Sequence, residues 1–200
     1  MGINGSNTDR VASAAAAPLG FYKFYVGEGG LRVPLIIAGT PLALPEHDRI
    51  IHAFSYATDI VPTLLQLAGA PDPAGRYKGR AVEQIVGRSM LPLLYDQTER
   101  IYSEDDAIGY ELNGHRALFL GDHKIVYNRP PIGDGMWHLY NIAIDPGETN
   151  DLREQRPQRF ARMQALYEQF VVEHGVLPVA EDFDPQQVMF ARLVRDRFGG

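Results

Sequence analysis

Three observations predict an α/β chain that turns α+β over its second half. A short apolar run bounded by glycine, Val33-Pro-Leu-Ile-Ile-Ala-Gly39, has the composition of a strand buried on both faces of a parallel sheet. After Gln97, short segments rich in aromatic and aliphatic residues are separated by Asn113-Gly114, Gly121-Asp122 and Pro130-Pro131, the turn chemistry of an antiparallel meander. One long amphipathic helix then offers a single apolar stripe to a face of that small sheet.

The elements follow in order. Residues 1–20 read as a flexible lead-in in which Ala15-Ala16-Ala17 supports at most a marginal helix. Pro34 must lie near the start of the 33–39 strand. Asp59-Ile-Val-Pro-Thr-Leu-Leu-Gln-Leu-Ala-Gly69 is a helix with both ends written in sequence. Asp59 suits the N-cap, Pro62 the first turn and Gly69 the left-handed position after the end. Residues 75–88 form a loop rich in Gly and Arg, and Ser89-Met-Leu-Pro-Leu-Leu94 a brief helix. Four strands are expected at 106–113, 116–120, 124–128 and 137–141. Pro157 opens the last helix, Phe160, Met163, Leu166, Tyr167, Phe170 and Val171 make its stripe, and Gly175 closes it. A weaker helical stretch over 185–198 suits an arm. The expected parts are therefore 1–20, 21–96, 97–178 and a tail arm at 179–200.

Composition limits the function classes. The 200 residues suffice for a sizeable core, and 45% hydrophobic with 22% charged residues is ordinary for a globular chain. A net charge of −6 argues against a broad nucleic-acid-binding face. No cysteine is present, so thiolate metal sites, disulfides and thiol nucleophiles are excluded. No apolar run approaches the roughly 20 residues of a membrane span. Residues 1–10 are polar and carry no signal core, which leaves the compartment open with the cytoplasm as default.

Complete catalytic constellations are missing. There is no Gly-x-Ser-x-Gly, no His-Glu-x-x-His and no phosphate-cradling Gly-rich loop, and the six histidines lack i, i+4 pairs. Glu104-Asp105-Asp106 suits a hard cation, or simply a solvated acidic loop. Lys23 lies among Phe21, Tyr22, Phe24 and Tyr25. Two roles fit it: a snorkelling lysine at an aromatic edge, or a fixed point charge for a sulfate or phosphate oxygen. Gly27, Gly29 and Gly30 mark a tight turn that Arg32 would brace against a carboxylate.

These stretches share a pattern. Lys23 followed by Glu28-Gly-Gly-Leu-Arg-Val-Pro34 resembles the Lys-x4-Glu-Gly-Gly-x-Arg-Val-Pro element of bacterial arylsulfatases, type I sulfatases of the alkaline-phosphatase-like superfamily. The likeness continues through 59–69, Gly87-Arg-Ser-Met-Leu-Pro-Leu-Leu94, Gly109-Tyr-Glu-Leu112, Arg116-Ala-Leu118 and Gly121-Asp-His-Lys-Ile-Val126. It ends in Asp145-Pro-Gly-Glu148 and spans residues 18–178 in family order. The resemblance implies that 21–96 is the C-terminal remnant of the sulfatase α/β domain, followed by a four-stranded antiparallel sheet packed with a C-terminal helix.

It also implies sulfuric ester hydrolase chemistry, with Lys23 as the catalytic residue contacting a sulfate oxygen. The family uses Ca2+ and a formylglycine made from Cys or Ser in a Cys/Ser-x-Pro-x-Arg motif, and no such motif occurs here. Nothing before Lys23 matches the family's Asp-Asp and Asp-Asn calcium ligands, so no metal or cofactor residue is carried over. His123 stands where the family often has Trp. The chain is accordingly expected to be inert alone, its substrate a sulfate ester only within a complete enzyme. A homo-oligomer or association with a separate N-terminal sulfatase chain is expected, and neither a nucleic acid nor a membrane. Two alternatives stand beside this: a non-catalytic assembly module, and part of a related phosphatase or phosphonate hydrolase.

Overall fold

The computed structural model describes residues 5–39, 49–180 and 183. They fall into two compact units, one of residues 1–34 with 107–200 and the other of 35–106. The expected helix over 185–198 lies outside the described residues.

The first unit is built on an antiparallel sheet in sequential order, β3 (Ala107–Leu112), β4 (His115–Leu120), β5 (His123–Tyr127) and β6 (Trp137–Asn141). Each of these bounds lies within one residue of the expected one. Register is fixed at the first hairpin by Leu112 opposite His115, with Asn113 and Gly114 both at positive φ, as a two-residue turn of the primed type requires. Gly121, also at positive φ, turns the second hairpin, where Leu120 faces His123.

Side chains alternate between two covered faces. Leu118, Leu120, Ile125 and Leu139 pack against α5 (Pro157–His174) through Met163 and Tyr167, flanked by Phe160, Leu166, Phe170 and Val171. This is the stripe anticipated from spacing. Gly175 closes the helix in the left-handed conformation. On the opposite face Ala117 and Val126 pack with Val26, Leu31, Tyr110, Leu112 and Tyr140. That second cover is the segment carrying Lys23. A helix α1 (Gly5–Ala16) precedes it, longer than the marginal turn expected at Ala15-Ala16-Ala17.

In the second unit a 3-10 turn, Ala57–Asp59, leads into α3 (Ile60–Leu67). Gly69 ends α3 at φ 62°, with its amide on the Gln66 carbonyl and the Ala70 amide on that of Leu65, a Schellman closure. Asp59 is not the side-chain N-cap of α3 that the sequence suggests. Its wholly buried carboxylate accepts the amides of Tyr56 (2.7 Å) and Arg88 (2.8 Å) and the hydroxyl of Tyr102, pinning the loop to the helix start. The 75–88 loop contains a small hairpin, β1 (Arg76–Tyr77) with β2 (Arg80–Ala81), and α4 (Leu91–Leu94) follows.

The buried parallel strand expected over 33–39 is not formed. These residues run without a ladder and are exposed, Ile36 almost completely. A strand buried on both faces needs hydrogen-bonded neighbours and covering layers, and no strand among the described residues pairs with this one. No helix of the described residues is long and apolar enough to cross a membrane.

Candidate active-site loop and its buried ion network

Lys23 sits on the segment between Gly20 and α2 (Glu28–Leu31), laid over one face of the sheet. Tyr22 and Tyr25 meet edge to face at 5.1 Å, Phe21 lies 5.6 Å from Tyr25, and Tyr25 stands on the His115 ring of β4 at 5.2 Å. This aromatic seat turns Lys23 and Phe24 outward. Both are exposed, and the ammonium lies 5.0 Å from the Phe24 ring centre. Lys23 is thus presented to solvent rather than packed along its stem.

The backbone on either side of Lys23 is strained. Phe21 (φ 67°) and Phe24 (φ 82°) occupy the left-handed region, which costs a bulky residue about 1–3 kcal/mol and persists only when the surroundings over-determine it. What over-determines it begins at the glycines. The Gly29 amide donates to the Gly20 carbonyl at 2.8 Å, closing the loop at its base. A Cβ on Gly29 would lie 2.3 Å from the Phe21 carbonyl oxygen, and one on Gly30 2.2 Å from that of Tyr25. Backbone meets backbone here, so only glycine fits.

Glu28, at the start of α2, points into the sheet and is almost wholly buried. Its Oε1 accepts Lys124 Nζ at 2.8 Å, and Lys124 on β5 has no solvent exposure at all. Glu148 closes the network, with Oε1 2.8 Å from the same ammonium and Oε2 accepting the Glu28 amide at 2.9 Å. The Phe119 ring lies 5.0 Å from Lys124 Nζ. Arg32 reaches the outer edge of the group, 3.9 Å from Glu28 Oε2, and is half exposed. It braces the turn only loosely. Burial pushes the Glu148 carboxyl up from its usual range despite the counteracting Lys124 ammonium.

The turn that delivers Glu148 is the Asp-Pro-Gly-Glu signature. The Asp145 carboxylate accepts the amides of Thr149 (2.9 Å) and Asn150 (2.8 Å) and the Thr149 hydroxyl (3.0 Å), while its carbonyl accepts the Glu148 amide. Glu148 takes a left-handed φ of 55° and turns inward. Two motifs 120 residues apart therefore converge on one buried lysine. Sequence reasoning marked both motifs and missed Lys124. The available signal was a lone lysine inside the apolar strand His123-Lys-Ile-Val-Tyr127.

The other candidates fall out differently. Asp106 is held by a bidentate pair with Arg88 at 2.6 and 2.7 Å, and this guanidinium keeps its carboxyl far below the usual range. The acidic run 104–106 is thereby tied into the fold rather than gathered around a cation. Among the described residues no group of three or more His, Cys, Asp or Glu is placed to hold a metal ion, so these residues do not fit a calcium centre. His138 on β6 is clamped between Asp151 (2.8 Å) and Asp134 (3.0 Å). His123 is buried with neither ring nitrogen hydrogen-bonded, and burial, reinforced by Arg159 and Arg156, lowers its pKa. An open concavity of about 700 Å3 lies in the second unit. Its Arg49 is engaged by Asp96 and the carbonyls of Leu93 and Leu94.

No family model matches the chain. It is 32% identical over 179 residues to an uncharacterized sulfatase of Schizosaccharomyces pombe, covering 90% of this chain and 32% of that protein. It is 24% identical over 153 residues to a sulfatase of Formosa agariphila and 25% identical over 153 residues to arylsulfatase K of Xenopus laevis. Each of those matches covers 72% of this chain and 26% of the relative. Among solved structures, one described as a 2-O GAG sulfatase superposes with a TM-score of 0.44 at 23% identity, over 64% of this chain and 27% of the other. The chain spans between about a quarter and a third of the length of these curated relatives. Over these stretches the chain is sulfatase-like, similar to a part of each of these proteins.

Proposed function

We propose that this chain is the C-terminal part of an arylsulfatase-like sulfuric ester hydrolase, which converts a sulfate ester and water to an alcohol or phenol and sulfate. Its contribution is Lys23, an ammonium meeting an oxygen of the sulfate group and offsetting charge that develops during transfer. The observation that carries this reading is the convergence of Glu28 and Glu148 on Lys124 beneath the Lys23 loop. A strained loop seated on a buried ion network suits a part that must hold a charge in place.

Sulfatases of this kind draw on calcium and a formylglycine nucleophile. No Cys/Ser-x-Pro-x-Arg motif occurs in these 200 residues, and the described residues do not fit the metal. One cation without nucleophile or metal does not run the reaction. The nucleophile is therefore assigned to sequence outside these residues. The apolar surface of α3 and residues 33–37 suits association with a separate N-terminal sulfatase chain better than exposure to water.

The test is hydrolysis of a chromogenic aryl sulfate by the isolated chain with calcium present. Release no faster than that of Lys23→Ala is expected. Turnover clearly above that variant would overturn the assignment of the nucleophile elsewhere. An adjacent reading frame bearing Cys/Ser-x-Pro-x-Arg with Asp-Asp and Asp-Asn ligands favours the enzyme over a non-catalytic assembly module.

A further inference from the structure

We propose that Glu28, Lys124 and Glu148 are positioning residues for Lys23, locking its loop so that the ammonium meets a tetrahedral oxyanion at a fixed place. This rests on the reading of Lys23 as the sulfate contact. None of the three touches substrate; each acts through the backbone of residues 20–28.

The loop is clamped where it leaves and where it returns. At its start the Gly20 carbonyl accepts the Gly29 amide, and Gly20 lies directly against the 147–148 turn, where an added Cβ would sit 3.4 Å from the Gly147 oxygen. At its end the Glu28 amide is held by Glu148 and the Glu28 carboxylate by Lys124. Lys23 lies between these clamps, flanked by the two left-handed phenylalanines. Without the clamp, relaxation of Phe21 and Phe24 to negative φ would favour other loop conformations. The network is costly to bury, and a solvated Arg–Glu pair would brace a merely structural turn at less desolvation cost. Its charges nearly balance once Arg32 is counted, which leaves the loop rigid without a strong local field of its own.

The chain has three lysines, Lys23, Lys78 and Lys124, of which Lys124 is sealed from reagents. Reductive methylation with 13C-formaldehyde therefore labels Lys23, Lys78 and the terminal α-amine, each followed by its own NMR signal. Sodium sulfate is titrated at constant ionic strength. The Lys23 signal is expected to saturate while Lys78, an exposed control, drifts without saturating. In Glu148→Ala, sulfate affinity at Lys23 should fall by about tenfold or more, the scale on which sub-ångström misplacement is felt. Glu148→Gln still accepts the Glu28 amide and should restore it. If Glu148→Ala does not fold, Glu148→Asp, which withdraws the carboxylate by one methylene, serves in its place. Undiminished affinity in whichever of these variants folds overturns the positioning role. Identical behaviour of Lys23 and Lys78 in the unsubstituted chain overturns the sulfate reading itself, and the inference with it.

Discussion

Lys124 pairs with two carboxylates out of water. Among the described residues, its ammonium and the loosely held Arg32 are the counter-charges to the buried carboxylates of Glu28 and Glu148. Lys124→Met would leave Glu28 and Glu148 confronting each other out of water, a loss of about 3–5 kcal/mol. That is a large share of a typical domain's stability of about 5–15 kcal/mol. Urea unfolding should show the loss directly, with Lys78→Met shifting stability by less than about 0.5 kcal/mol. His138 makes a second prediction. Burial alone would lower its pKa, but the hydrogen bonds its ring donates to the Asp134 and Asp151 carboxylates outweigh burial and raise it. A raised folded value means the imidazolium stabilises fully below the unfolded value near 6.5 and ceases to as pH rises through the folded one. Asp151, lowered in part by the same pair, keeps its charge down into the acid range. The stability gap between the chain and His138→Gln should therefore be wider at pH 5.5 than at pH 9; an equal gap would deny the ion pair. At this scale the sequence was least informative. Lys23, Glu28 and Glu148 stood out through motif resemblance, whereas Lys124 and the Asp134–His138–Asp151 group depend on strand register, which no local pattern announces.

At the scale of elements, turn chemistry and periodicity were highly legible. Asn113-Gly114 and Gly121-Asp122 set the hairpins, and the α5 stripe matched the residues that cover the sheet. The 33–39 run was misread because apolarity reports a demand for burial, not its fulfilment. Asp59 was misread because a buried carboxylate can serve three donors beyond its own helix. The packing of α5 on β3 gives an element-scale test. A Cβ on Gly109 would come within 2.3 Å of the Phe170 ring, which itself packs on Tyr167 and His174. Gly109→Ala should thus overpack the interface and cost about 1–3 kcal/mol, read as a lowered Tm. An unchanged Tm would mean that the Phe170 ring moves aside freely.

For the whole molecule, the two units differ in how fully they satisfy themselves. The first covers both faces of its sheet, with α5 on one side and the Lys23 segment on the other. In the second, α3 buries only Thr63 and leaves Ile60, Val61, Leu64 and Leu67 substantially exposed. Apolar surface of that extent suits a partner. The central claim is that Lys23 supplies one wall of a sulfatase site whose nucleophile comes from elsewhere. Its most direct test is complementation, combining this chain with an N-terminal sulfatase segment bearing formylglycine and calcium and assaying a chromogenic aryl sulfate. Turnover is predicted for the pair and for neither part alone, with Lys23→Ala lowering kcat by roughly 100- to 1000-fold, as loss of one transition-state charge partner does. A complemented enzyme whose kcat is indifferent to Lys23→Ala would contradict the claim.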